Sequence, residues 1–203
     1  MASQEFRELE REARRFRKEL LPKAFDPLGI YPRSVQTHTR AFLILSHAAV
    51  ETYLEGRAKR IARRAEEVWK KDGKITRPMA FLVGYYDGGI ESPINRKCPD
   101  FQMTELAKDV FLKYYKIIKD NHGVKTDSVY AIFSRLGVNH VSFGTVLLPE
   151  LDSFGTDRGG HAHHSAKAVE VLDPEIEWKR VERILTELEA FDSVILKYLS
   201  GIR

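Results

Sequence analysis

Apolar positions recur at three- and four-residue spacing along most of the chain, the pattern of helices that bury one face. Residues 3–21 form a charged amphipathic segment with Phe6, Leu9, Phe16 and Leu20 on its inward side. Pro22 stops it, because proline cannot supply the amide hydrogen that a continuing helix needs. Residues 22–33, with three prolines and one glycine, predict a linker. From Ser34, the expected N-cap, to Lys71 runs a long helical segment with Ala, Leu, Ile and Phe at core spacing, ended by Asp72-Gly73. This helix is expected to be the backbone of the fold. Residues 74–100 lose the pattern: Pro78, Gly84, Gly88, Gly89, Pro93 and Pro99 stand among aromatics and predict an irregular or partly extended excursion.

Helical spacing returns over 101–120, with Leu106, Val110, Tyr114 and Ile117 on one face and Asn121-His122-Gly123 as the closure. A shorter helix from Asp127 to Leu136 is expected to end at Gly137, and another from Ser142 to Phe154 at Gly155. In the final helix Asp173 is the cap, Pro174 occupies the first turn, and Val181, Ile184, Leu188, Phe191 and Ile195 form a continuous apolar stripe. The predicted fold class is all-α: one domain, a helical bundle with a long N-terminal core helix and an irregular excursion around 74–100.

Composition narrows the setting. A chain of 203 residues, 43% hydrophobic, suits one domain with a sizeable core. No apolar run approaches the roughly 18 residues of a membrane span, and the charged stretch Met1 to Glu12 is unlike a signal peptide, so a cytoplasmic protein is expected. The single cysteine, Cys98, excludes an internal disulfide and a cysteine-rich zinc site. A net charge of +4 permits a polyanionic partner. The positive residues are clustered, first in Arg7 to Lys18 and again from Arg57 to Lys71. Within the second block Arg57, Arg60, Arg64 and Lys71 fall at helical spacing and would form a stripe able to follow a phosphate backbone. Glu66 and Glu67 interleave with it, so a solvated helix face is the plainer alternative.

The densest chemistry lies at Asp157-Arg158-Gly159-Gly160-His161-Ala162-His163-His164. An arginine and a histidine five positions apart suit phosphodiester cleavage without a metal, but the spacing alone is weak evidence. With 18 arginines and 7 histidines, chance gives about 0.6 such pairs, and the chain has three: Arg33/His38, Arg135/His140 and Arg158/His163. The first two fall at helix ends, where capping or solvation accounts for them. Arg158/His163 combines further histidines, an acid and two adjacent glycines. On an unbroken helix these two positions would stand about 140° apart in azimuth, so a Gly-Gly break is expected to bend the backbone and let them converge.

The order of these elements resembles a known family. A long helix carries Ala48-Ala49-Val50-Glu51-Thr52-Tyr53-Leu54-Glu55; then come Ile132-Phe133-Ser134-Arg135-Leu136-Gly137-Val138, Leu151-Asp152 leading to Arg158 and His163, and a closing amphipathic helix. This is similar to the HEPN superfamily of all-helical nucleotide- and RNA-binding domains, near its RiboL-PSP-like branch, over roughly residues 34–200 with 74–100 and the N-terminal helix outside. The resemblance implies a helical bundle that dimerises so that two arginine–histidine motifs share a cleft, often a metal-independent endoribonuclease, in other members a binding module. Gly159 departs from the polar residue, commonly asparagine, that many active relatives carry after the arginine. A toxin or antiviral-defence role, and an antitoxin or other regulatory protein as partner, follow from the resemblance alone.

The residues fit that chemistry. Cleaving RNA requires a base for the 2′-hydroxyl proton, an acid for the 5′-oxygen and positive charge for the phosphoryl oxygens. Histidine suits the first two and arginine the third, which makes His163 the candidate acid/base and Arg158 the transition-state stabiliser, with RNA as substrate and no cofactor required. His161 and His164 are secondary candidates, and Asp157 or Asp152 could orient a ring or a guanidinium. A metal site from His161, His163, His164 and Asp157 lacks a recognisable ligand spacing. His47, Glu51, Leu54 and Ala58 share one helical stripe; the resemblance suggests Glu51 as a partner for Arg158, and an intrahelical His47/Glu51 pair is the alternative.

Overall fold

The computed structural model describes residues 2–87, 103–163 and 171–203, with the backbone alone for Asp87 and for 157–163. Among the described residues the chain forms seven α-helices and two 3-10 turns, with no strand. Helix α1 (Gln4–Leu20) begins at Ser3, whose Oγ accepts from the Phe6 amide, and buries Phe6, Leu9, Ala13 and Phe16. Helix α2 (Arg33–Asp72) is 40 residues long, about 60 Å at 1.5 Å per residue. Its cap position is Pro32, which makes no side-chain cap bond; Ser34, expected there, already lies inside the first turn. The far end is as the sequence predicts: Gly73 takes the left-handed conformation and its amide donates to the Trp69 carbonyl.

The expected excursion at 74–100 is corrected at its start. Helix α3 (Arg77–Asp87) occupies this region, with Pro78 in the first turn, where a missing amide hydrogen costs nothing, and Met79 and Leu82 completely buried. The burial of that face outweighs the single glycine, Gly84, at about 1 kcal/mol. Gly88, Gly89, Pro93, Cys98 and Pro99 lie outside the described residues. Helix α4 (Met103–Lys119) buries Leu106, Val110 and Tyr114 as expected, together with Ala107, Phe111 and Ile118, while Ile117 packs against the core half-buried. Helix α5 (Thr126–Phe133) tightens into a 3-10 turn at Ser134–Leu136 and stops at Gly137, whose φ of 76° is the left-handed stop anticipated there.

The next helix differs from expectation at both ends. A 3-10 turn covers His140–Phe143, and α6 runs Leu147–His163, straight through Gly155 and the Gly159-Gly160 pair. Helix α7 (Pro174–Ser200) starts as anticipated: Asp173 Oδ1 accepts from the Glu175 and Ile176 amides, and Val181, Ile184, Leu188, Phe191 and Ile195 are buried.

Helix α2 touches each of the other six α-helices and is the axis of the molecule. Helix α7 lies alongside it in the same direction, as Phe42 meets Trp178 edge-on and, further along both helices, Tyr53 meets Asp192. This pairing brings the C-terminal Arg203 to the C-terminal end of α2, beside Lys71 and Lys74.

Candidate functional site

Helix α6 carries the candidate motif. Asp157, Arg158, His161 and His163 are all on its backbone, and His164 lies outside the described residues. The expected Gly-Gly bend is absent. Three glycines in one helix cost about 3 kcal/mol relative to alanine. Leu147, Leu151 and Phe154 occupy one face at 1% exposure or less, and burying three such side chains offsets that cost at about 1.5–3 kcal/mol each. Gly155 has a packing reason: a Cβ there would stand 2.8 Å from Lys125 Cγ, so the missing side chain lets α6 approach the segment that leads into α5. Continuity of the helix leaves positions 158 and 163 about 140° apart around the axis and about 7.5 Å apart along it.

Phe154, one turn before Arg158, packs against the His47 ring of α2 at 5.6 Å. His47 is buried, and its Nδ1 lies 3.7 Å from the Glu51 carboxylate, so the intrahelical pair is present at the edge facing α6. Pairing of Glu51 with Arg158 concerns a side chain outside the described set. Asp152 is committed elsewhere. Its two oxygens accept from the amide and hydroxyl of Thr126, each at 2.7 Å, which caps the first turn of α5 and ties it to α6.

The basic stripe is redrawn by burial. Arg57 is 1% exposed, with Nε 3.1 Å from Asp192 and Nη1 3.2 Å from Glu5, and therefore takes no part in a surface stripe. Arg60 and Arg64 are exposed and border an open groove with Glu5 and Leu199. Arg64 has only a loose ion pair with Glu67, at 3.8 Å. Beyond them Lys71, Lys74 and Arg203 line a second groove of about 630 Å³. Sequence reasoning had no access to Arg203, whose position depends on α7 lying beside α2. Nor is Arg135 a plain helix-end residue: its guanidinium donates to the Tyr85 hydroxyl at 2.6 Å and stacks on that ring, tying the 3-10 turn after α5 to α3.

Burial also sets the acid–base character of several tyrosines. Desolvation, then the adjacent Asp192 carboxylate, pushes the Tyr53 hydroxyl far up, so it stays a donor. Burial would raise the Glu66 carboxyl, but hydrogen bonds from Lys70 and Tyr115 outweigh it and hold it below its ordinary value. No described helix is long and apolar enough to cross a membrane.

A cavity of about 590 Å³ between α3, α4 and α5 was not anticipated. The sequence around its rim, Asn121-His122-Gly123, reads as a helix closure and nothing more, because the wall that completes it, Tyr86 of α3, is distant in the chain.

A family model described as RiboL-PSP-HEPN matches residues 5–197. The match therefore takes in α1 and the 74–100 region, both of which the sequence resemblance had left outside. No curated protein and no solved structure matches in the corresponding comparisons. With an all-helical bundle built on a long central helix, and a family match over nearly its whole length, the chain belongs to the RiboL-PSP-HEPN family.

Proposed function

We propose that the protein is a metal-independent endoribonuclease in which His163 transfers protons and Arg158 neutralises charge on the phosphoryl group. The observation that carries the reading is the coincidence of the family match with an arginine and a histidine five positions apart on α6. In the proposed reaction a neutral imidazole removes the 2′-hydroxyl proton. The 2′-oxygen attacks phosphorus, and an imidazolium protonates the departing 5′-oxygen, leaving a 2′,3′-cyclic phosphate and a 5′-hydroxyl. The guanidinium holds two phosphoryl oxygens as their charge grows.

A single copy does not readily aim both groups at one phosphate, since positions 158 and 163 stand about 140° apart on an unbroken helix. A two-fold homodimer resolves this, because Arg158 of one copy and His163 of the other can share a cleft, and two histidines can divide the acid and base roles. His161 and Asp157 sit on the same stretch of helix, and in this proposal they and His164, the next residue in sequence, have supporting roles. A toxin or antiviral-defence setting, with an inhibitory protein partner, belongs to the same proposal. The angular separation, together with Gly159 after the arginine, favours a second reading for a chain that stays monomeric: a module that binds RNA or a protein without cutting.

The deciding experiment incubates wild type and His163→Ala with mixed single-stranded RNA in excess EDTA and identifies the product ends. Cleavage to cyclic-phosphate ends by wild type alone supports the nuclease. Equal cleavage by both moves the site elsewhere, and cleavage by neither supports the binding module.

A further inference from the structure

The open groove between α3, α4 and α5 combines an apolar wall with lysine, histidine and hydroxyl groups and with the carboxylates of Asp120 and Asp127, and has the volume of a small-ligand site. Ile117 is half-buried there. The Tyr86 hydroxyl is buried, so the part of Tyr86 bordering the cavity is its ring. An aromatic ring beside an aliphatic side chain accepts the face of a nucleobase. On the rim Lys116 and His122 are exposed. Lys116 has no carboxylate within ion-pair distance among the described residues, whereas its neighbour Lys113 is held by Asp109 at 2.6 Å. Asp120, one turn further on in the same lining, forms no ion pair with Lys116, and a lysine so placed beside a histidine at the mouth of the groove suits a phosphate. Asp127 and Ser128, from the first turn of α5, add an acceptor and a hydroxyl suited to a ribose.

The position of the cavity is also informative. Asp152 of α6 grips Thr126, the residue next to Asp127, and Arg158 follows Asp152 by about 9 Å of helix rise.

We propose that this cavity binds one nucleoside monophosphate unit, with its base against Tyr86 and Ile117 and its phosphate at Lys116 and His122. The unit is either part of an RNA strand or a free nucleotide; the strand alternative rests on the endoribonuclease reading above.

The test uses the full chain and histidine-observed NMR, with the His122 signal identified by its loss in His122→Ala. The probes are the four nucleoside 3′-monophosphates, inorganic phosphate, and a 2′-O-methyl hexaribonucleotide that cannot be cleaved. A saturable shift of His122 with at least one nucleotide is expected, weakened tenfold or more by Lys116→Glu and partly retained in Lys116→Gln. Because Lys116 is exposed, both variants should keep the wild-type circular dichroism and unfolding midpoint. Tighter binding of the hexamer than of any monophosphate assigns the site to a strand, and the reverse order to a free nucleotide. No movement of His122 with any probe, or an equal shift with inorganic phosphate alone, overturns the proposal. Failure of the nuclease reading is separately visible, as absent RNA cleavage while the His122 shift persists.

Discussion

The Arg57 guanidinium lies 3.1 Å from the Asp192 carboxylate in the interior of the bundle, with both side chains cut off from solvent. Asp192 also accepts from the Ser3 amide at 2.7 Å, the Ser3 hydroxyl at 2.8 Å and the Tyr53 hydroxyl at 2.9 Å. One carboxylate thus joins the start of α1, the middle of α2 and the last third of α7. Arg57 Nε approaches it off the hydrogen-bonding direction, so proximity of charge, and not a directed bond, holds that pair.

Removing one charge from this seam should be far worse than removing both. Arg57→Ala leaves a buried carboxylate without its cation and is expected to cost about 3–5 kcal/mol, as is Asp192→Ala for the converse reason. The double variant Arg57→Ala with Asp192→Ala should cost clearly less than the sum of the single changes. Urea denaturation of the four proteins measures this; strict additivity would show that the two groups do not depend on each other.

The glycines of α6 and of the α5 stop should respond in opposite directions. If α6 is continuous at 159 and 160, Gly159→Ala and Gly160→Ala should each stabilise by up to about 1 kcal/mol. Gly137 has φ 76°, and a Cβ there would meet the Phe81 ring at 2.7 Å. Gly137→Ala is therefore expected to destabilise by about 2 kcal/mol or more, from left-handed strain and overpacking together. Thermal unfolding of the three variants decides, and a loss of stability at 159 or 160 would restore the bent backbone expected from sequence.

Alkaline pH should loosen the junction of α7 with the α5 stop. The Tyr198 hydroxyl donates to the Leu136 carbonyl at 2.6 Å, and burial, opposed by Arg77, pushes it up to about 12. A folded value above the unfolded one, about 10, favours the protonated form in the native state. The contribution of Tyr198 is thus complete below pH 10 and is lost as pH rises through 12. Guanidinium unfolding of wild type and Tyr198→Phe at pH 8 and pH 11 tests the sign: the gap between them should narrow at the higher pH.

RNA affinity, measured on His163→Ala so that the strand survives, should depend on Arg60, Arg64 and Arg203 and hardly at all on conservative change at Arg57. Reversing Arg60 and Arg64 to Glu should weaken binding and flatten its dependence on salt, because fewer phosphate counter-ions are released. Arg57→Lys, if folded, should bind as wild type. Fluorescence anisotropy at two salt concentrations reads both quantities.

Much of the architecture was legible before any coordinates. Asp173-Pro174 marks the start of α7 and Gly73 and Gly137 mark stops, because caps and left-handed glycines act within a few residues of themselves. The same local rules misled at Pro78, which the first turn of α3 accepts without loss, and at Gly84, Gly155, Gly159 and Gly160, where each glycine disfavours a helix interior but a buried face of the same segment outweighs it. The motif at Arg158 and His163 was visible as residues five apart. Whether the helix beneath it was broken was not.

The sequence by itself determined that the chain is helical, where most helices begin and end, and which side chains share a face, since those properties follow from periodicity and from short-range capping. The tertiary structure alone decided that Arg57 is interior while Arg60 and Arg64 are surface, that Asp152 caps α5, that Arg203 joins the end of α2, and that Tyr86, Lys116 and Ser128 border one groove. A helix fixes which of its residues point the same way, but the element that covers that face comes from elsewhere in the chain; for Arg57 it is α7, bringing Asp192.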